Sequence, residues 1–321
     1  MTSVDSLLAA VEWRWHAVAD LAGCQVRIVS DSLGRPAFFD RFADLRDPIA
    51  GETTDVELWF AARSPLAVGA LIDGELRTRA RSFAGGYYAT DHFGEPARLA
   101  ADGRRYVVVG GEPDTIGWSF LVKYVLLRWS IERQALFLKA GAVVVEDTGV
   151  VLIGRGRGGK TTLATALCDF GATFVANSHV VVDNGMLIGA RTAIRVRSGD
   201  FETLVPPSAC FSSIAAGPVA ADVVCLVAHS GTQRLSIQPI GSAQMRDVAN
   251  QFALGLNVYR LEEDLLDLLG GDYRAFAEVC ASFDARLQTW IDNSVCLLVD
   301  ADVRQAGVIE TLAAEIQEAR R

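Results

Sequence analysis

The stretch Gly154–Thr161, read as G-R-G-R-G-G-K-T, constrains this chain more than any other. It fits the pattern G-x-x-x-x-G-K-[ST] in full. That pattern carries chemistry only as the turn between a strand and a helix. The apolar run Val150–Ile153 predicts the strand, and the residues from Lys160 to Phe170 predict the helix. In such a turn the glycines let successive backbone N–H groups point inward at phosphate oxygens. The helix N-terminus adds partial positive charge. Lys160 offers a compact ammonium to the β- and γ-phosphates, and the Thr161 hydroxyl offers a ligand to Mg²⁺. Gly154, Arg155, Gly156, Arg157, Gly158, Gly159, Lys160, Thr161 and Thr162 are therefore expected to bind ATP with Mg²⁺. The alternative is a glycine-rich turn that holds no ligand.

Lysine is scarce here. Of 30 Lys and Arg residues only Lys123, Lys139 and Lys160 are lysines. A lysine retained in such a chain invites a reason why the planar fork of arginine would not serve. The net charge of −9 gives no broad positive field, so neither a nucleic-acid nor a membrane partner is expected. Mean hydropathy is +0.24. Even so, no apolar run approaches the roughly 18–20 residues of a membrane span; the best candidate, Leu136–Gly154, is broken by Lys139, Glu146 and Asp147. The first residues show no basic patch leading into an apolar stretch, so no signal peptide is expected. Six scattered cysteines with no C-x-x-C pair fit reduced thiols in a cytoplasmic protein.

The chain reads as α/β in two domains. Residues 1–117 predict a small β-rich or α+β domain that opens with an amphipathic helix over 4–21. Its strands are expected at Gln25–Val29, Val56–Phe60, Leu66–Ile72 and Tyr106–Val109. Residues 118–321 predict a nucleotide-binding domain. A helix over Trp118–Gln134 leads into a hairpin of Phe137–Val145 and Val150–Ile153, then the glycine loop and its helix. Further strands are expected at Thr173–Ala176, His179–Val182, Met186–Ile188, Ala221–Ala228 and Arg234–Pro239. The last third is mostly helical, with a buried strand at Ser294–Val299.

At residues 136–183 the chain resembles the catalytic domain of HPr kinase/phosphorylase and its relatives, which include kinases acting on small molecules and on peptide precursors. The matching pieces are Phe137–Ala142, Gly149–Gly154, Gly159–Leu163, Gly171 and Val175–Ala176. A looser likeness extends through the preceding helix and the N-terminal domain. The resemblance implies a P-loop domain of the HPr kinase C-terminal type. Three positions depart from it. Asn177-Ser178 stand where the family has two aspartates, Lys139 stands where it usually has a histidine, and His179 follows the pair. In the family the aspartates accept a proton and hold Mg²⁺. Asn177 keeps an oxygen for Mg²⁺ but takes no proton, and Ser178 is no base.

Candidates for the missing role follow from residue chemistry. His179 titrates near neutrality and suits a general base, or else it is an inert strand histidine. Asp183, ending Val180–Asp183, resembles a nucleotide-site carboxylate, or else it forms a turn with Asn184-Gly185. Lys139 is expensive to bury in an apolar strand unless it binds an anion, or else its stem snorkels to water. Arg195 and Arg197 share a strand face, with Asp200 and Glu202 after them. Glu262-Glu263-Asp264 reads as a solvated first helical turn.

Three readings remain open. One is a kinase that moves the γ-phosphoryl of ATP to a hydroxyl of a small molecule, peptide or protein. Another is a nucleotide-binding regulatory or scaffold protein without kinase chemistry. The third is a nucleotidyl transferase or ATP-dependent ligase. A homo-oligomer is compatible with all three.

Overall fold

The computed structural model describes residues 4–9, 11–61, 81–83, 86–89, 97–110, 117–156, 158–198, 201–228, 235–303, 305 and 307–320. By its contacts the chain divides into two compact units, Met1–Leu126 and Leu127–Arg321. The division falls inside the helix Val122–Glu132.

The N-terminal unit is built on one mixed sheet. Its strands are β1 (Trp15–Leu21), β2 (Cys24–Ser30), β3 (Val56–Ala61), β4 (Arg81–Phe83), β5 (Gly86–Ala89), β6 (Ala97–Asp102) and β7 (Arg105–Gly110). They lie in the order β1-β2-β3-β7-β6-β5-β4, with β2, β3 and β7 parallel. The helix expected over 4–21 is a correction. Only Val4–Ala9 is helical, and Trp15–Leu21 pairs antiparallel with β2 across the turn Ala22-Gly23. Both turn residues have positive φ, 53° and 85°, which is the two-residue turn that matches strand twist. The strand expected at Leu66–Ile72 lies outside the described residues.

The C-terminal unit holds β8 (Leu136–Leu138), β9 (Gly141–Val145), β10 (Thr148–Ile153), β11 (Thr173–Ala176), β12 (Val180–Asp183), β13 (Met186–Gly189), β14 (Ile194–Ser198), β15 (Phe201–Val205), β16 (Val219–Ala220), β17 (Val223–Ala228), β18 (Ser236–Pro239) and β19 (Val295–Asp300). A six-stranded sheet runs β11-β9-β10-β17-β19-β18, and a four-stranded sheet runs β16-β13-β12-β8. In the larger sheet β10, β17 and β19 are parallel neighbours. Every residue of β10 is buried. The helices Lys160–Asp169 and Val308–Arg320 cover one face of that sheet. Leu163, Leu167, Leu312 and Ile316 pack there with Val143, Leu152 and Val223 in one core. Burial of such side chains, about 1.5–3 kcal/mol each, is what fixes the strand against the helix.

The expected hairpin forms, with β9 antiparallel to β10, but its first strand is shorter than the expected Phe137–Val145. The apolar run breaks at Lys139-Ala140 into two strands that belong to different sheets. The partner strand breaks at the same level. β11 pairs with β9 in the larger sheet, and β12 pairs with β8 in the smaller one. One antiparallel ribbon therefore passes from sheet to sheet through a seam formed by Lys139-Ala140 and Asn177–His179. Leu138 faces Val180 on one side of the seam and Ala142 faces Ala176 on the other. That register sets Lys139 opposite His179 and Gly141 opposite Asn177.

Downstream, the expected helix over Ala243–Leu256 is two pieces, Ser242–Phe252 and Gly255–Val258. The acidic triplet does begin the helix Glu262–Leu268, but Asp264 is 8% exposed and so is not solvated. Among the described residues no helix is long and apolar enough to cross a membrane. All six cysteines are free.

Candidate functional site

The glycine loop leaves β10 at Ile153 and enters the helix at Lys160, as the pattern requires. Gly154 and Gly159 hold φ of 139° and 90°, values that side chains beyond glycine rarely adopt. A Cβ on Gly158 would sit 3.0 Å from the Arg155 carbonyl oxygen. Gly158 N–H donates to that same oxygen at 3.1 Å, closing the turn. Arg155 and Gly156 are exposed, and Arg157 lies outside the described residues.

Lys160 folds back over its own loop. Its ammonium donates to the Gly154 carbonyl at 2.8 Å and to the Arg155 carbonyl at 2.9 Å. Burial, and next the charge of Lys139, push its pKa down to about 8. Burial also lowers the pKa of Lys139. The seam thus delivers a second ammonium to the loop. Lys139 is further held by its backbone N–H, which donates to the Ala253 carbonyl at 2.7 Å. Its Nζ lies 5.4 Å from the centre of the Tyr259 ring, in cation–π range.

Thr161 Oγ1 donates to Asn177 Oδ1 at 2.8 Å. This contact joins the first turn of the helix to the seam, and it brings together the two residues expected to hold a metal. Neighbouring oxygen ligands on an octahedral Mg²⁺, at about 2.0–2.1 Å from the ion, stand about 2.9 Å apart. The Thr161–Asn177 oxygen pair fits that separation, so the residues present suit the ion. Among the described residues no cluster of three or more His, Cys, Asp or Glu side chains is placed to hold a metal. The two oxygens that the Thr161–Asn177 contact brings together are both uncharged.

Ser178 lies in the seam and is half-buried. His179 lies there too, but its imidazole is only 2% exposed. It stacks on Phe137 with ring centres 5.9 Å apart, and lies tilted against Tyr259 at 5.8 Å. That is the setting of a packed ring, in contrast to the open position a general base was expected to take.

Asp183 is not brought to the loop. It ends β12, four residues beyond the seam, about 13 Å along a strand. Its carboxylate accepts from Arg133 Nε and Nη2 at 3.1 and 3.0 Å and from Asn184 Nδ2 at 2.9 Å. Asn184 and Gly185, with φ of 49° and 75°, make the tight turn into β13. The turn reading of Asp183 replaces the nucleotide-site reading. Arg195 is exposed on the separate ribbon of β14 and β15, and Asp200 lies outside the described residues.

Two site residues escaped sequence reasoning. Tyr259 sits past a helix end with no motif around it. Asp302 follows β19 and lines a cavity of about 300 Å³ beside Gly158, Gly159 and Thr162. The signal for Asp302 was present, as a carboxylate just beyond a buried strand. A larger cavity of about 720 Å³ opens among Arg133, Asp222, Arg286 and Trp290. It includes no residue of the loop.

No protein-family model matches the chain, and no curated protein matches it. Among solved structures, the Hpr(Ser) kinase/phosphatase from Coxiella burnetii is similar at 16% identity with a TM-score of 0.24. That likeness covers 32% of this chain and 77% of that one. The site described above stands on its own geometry.

Proposed function

We propose that this protein binds Mg·ATP on the loop Gly154–Thr162 and passes the γ-phosphoryl group to a hydroxyl of a small molecule, peptide or protein. The observation that carries the reading is the Thr161–Asn177 contact of 2.8 Å. It puts two oxygens, at the separation of neighbouring Mg²⁺ ligands, at the start of a helix whose Lys160 ammonium is held against the same loop. Thr161 and Asn177 would hold the ion, which would neutralise phosphate charge when bound. Lys160 exchanges its two carbonyl partners for phosphate oxygens. Lys139 adds a second cation where charge accumulates. Phosphoryl transfer is loose in most analyses, so positioning and charge supply most of the catalysis. A site without a carboxylate base is compatible with that chemistry.

A second reading has its own support. The two neutral residues at Asn177-Ser178 and the packed His179 leave no evident proton acceptor among the residues joined at the seam. This favours a nucleotide-binding regulatory protein that turns nothing over. Calorimetry and product analysis separate the two. On either reading Lys160→Ala weakens Mg·ATP binding about tenfold or more, about 1.4 kcal/mol, and Thr161→Ala weakens it more with Mg²⁺ than without. Unchanged affinity in Lys160→Ala sinks both readings. ADP and a phosphorylated acceptor identify the kinase.

A further inference from the structure

The loop has two sides, and they differ. Thr161 and Thr162 are adjacent on the first helical turn, so their side chains leave the helix about 100° apart. Thr161 reaches Asn177 at the seam. Thr162 lines the cavity of about 300 Å³ on the side of β17 and β19. That volume lies at the low end of the range for small-molecule sites. The cavity opens at the C-terminal ends of these parallel strands, where open α/β sheets place their ligands. Val227 and Val303 give it apolar walls, Gly158 and Gly159 belong to the loop, and Asp302 is the acidic residue of its lining.

We propose that this cavity takes the nucleoside of the bound nucleoside triphosphate, with the Asp302 carboxylate accepting from two adjacent nucleoside donors. The inference rests on the nucleotide reading above and gives the nucleotide a direction. Its terminal phosphate lies toward Asn177 and Lys139, and its nucleoside lies toward Asp302. An ionised carboxylate only accepts hydrogen bonds, and it pairs best with two neighbouring donors. A nucleoside offers two such pairs, the ribose 2′,3′-diol and the N1–H and 2-amino edge of guanine. Adenine offers no such pair, because its 6-amino group adjoins an acceptor nitrogen.

The test is titration calorimetry with Mg²⁺ on the full chain, using tripolyphosphate, ATP, GTP and their 2′-deoxy forms. Wild-type protein is expected to bind its preferred nucleotide about tenfold or more tighter than tripolyphosphate. Asp302→Asn and Asp302→Ala should both erase that gain and leave tripolyphosphate within about twofold. GTP favoured over ATP, with no loss in the deoxy form, assigns the guanine edge. Equal ATP and GTP, with a loss in the deoxy forms, assigns the ribose diol. Tripolyphosphate bound as well as any nucleotide overturns this inference and leaves the loop reading standing. Nucleotide affinity unchanged in both Asp302 variants overturns it as well. Failure of every polyphosphate to bind overturns the loop reading along with it.

Discussion

Lys160 is expected to make the nucleotide-free protein more stable as the pH rises past neutrality. Burial, with the charge of Lys139 second, holds its folded-state pKa down at about 8 against an ordinary 10.5. Between those values the unfolded chain keeps a proton that the folded chain has released. Stability then rises with pH through that window, and the destabilisation is fully present below it. At about 1.4 kcal/mol per unit the shift corresponds to roughly 3 kcal/mol. The ammonium is only partly buried, and solvent screening reduces this to roughly 1–2 kcal/mol. In a unit the size of Leu127–Arg321 1 kcal/mol moves Tm by about 2–4 °C. The assay is thermal unfolding of the wild type and Lys160→Met from pH 7 to 9.5 without nucleotide. At pH 7 the variant is relieved of the buried charge, and its Tm relative to wild type is highest. That difference should shrink by roughly half or more by pH 9.5 as the wild-type lysine loses its proton. Mg·ATP affinity of the wild type should move the other way and fall above pH 8, since a neutral amine attracts phosphate weakly. A Tm difference that stays constant or grows with pH refutes the buried-ammonium argument.

Two further outcomes test the architecture. Asp183→Asn should leave Mg·ATP affinity within about twofold and lower stability by no more than about 1 kcal/mol, because its partner Arg133 is half-exposed; a tenfold loss in calorimetry would return Asp183 to the nucleotide site. Gly149→Ala should destabilise the C-terminal unit by about 3 kcal/mol or more, since the new Cβ would sit 1.8 Å from the Ala220 carbonyl oxygen; a denaturation midpoint equal to wild type would show that Gly149 and Ala220 are not packed this closely.

The loop was legible because its constraints are local. A glycine pattern, an apolar strand and a helix start fall within a few turns of chain, and the structure keeps all three. The seam was not legible, because the residues Phe137–Val145 are apolar with a single interruption and carry no period that marks a change of sheet. Lys139 was the one visible hint, and its reason lay elsewhere in the sequence, at Tyr259 and Lys160. The N-terminal strand was misread for a related cause. Ala17, Val18 and Ala19 are all buried, so β1 shows no alternation, while Val11, Trp15 and Val18 happen to fall at helical spacing. Burial on both faces erases the period on which sequence reading depends. Asp183 was misplaced by a short pattern whose meaning depends on which end of the strand meets the loop.

Asn177→Asp is the variant on which the role of the seam turns. It puts a carboxylate beside the Thr161 hydroxyl, with the side chain otherwise isosteric, at a point where Asn177 already reaches Oγ1 at 2.8 Å. Mg²⁺ is a hard cation that binds oxygen and favours charged oxygen over neutral. The nearby ammonium groups of Lys139 and Lys160 work against a bare cation in this cleft, and one added negative charge offsets part of that field. The half-saturating Mg²⁺ concentration at fixed ATP should therefore drop about tenfold, a difference of about 1.4 kcal/mol. Binding of tripolyphosphate without Mg²⁺ should weaken in the same variant, because the anion now meets a like charge. Opposite signs for the two ligands distinguish an electrostatic exchange at the seam from a general change in folding, which would move both together. An unchanged Mg²⁺ requirement would mean that Asn177 does not face the metal, and the two-oxygen site at the helix start would fall with it.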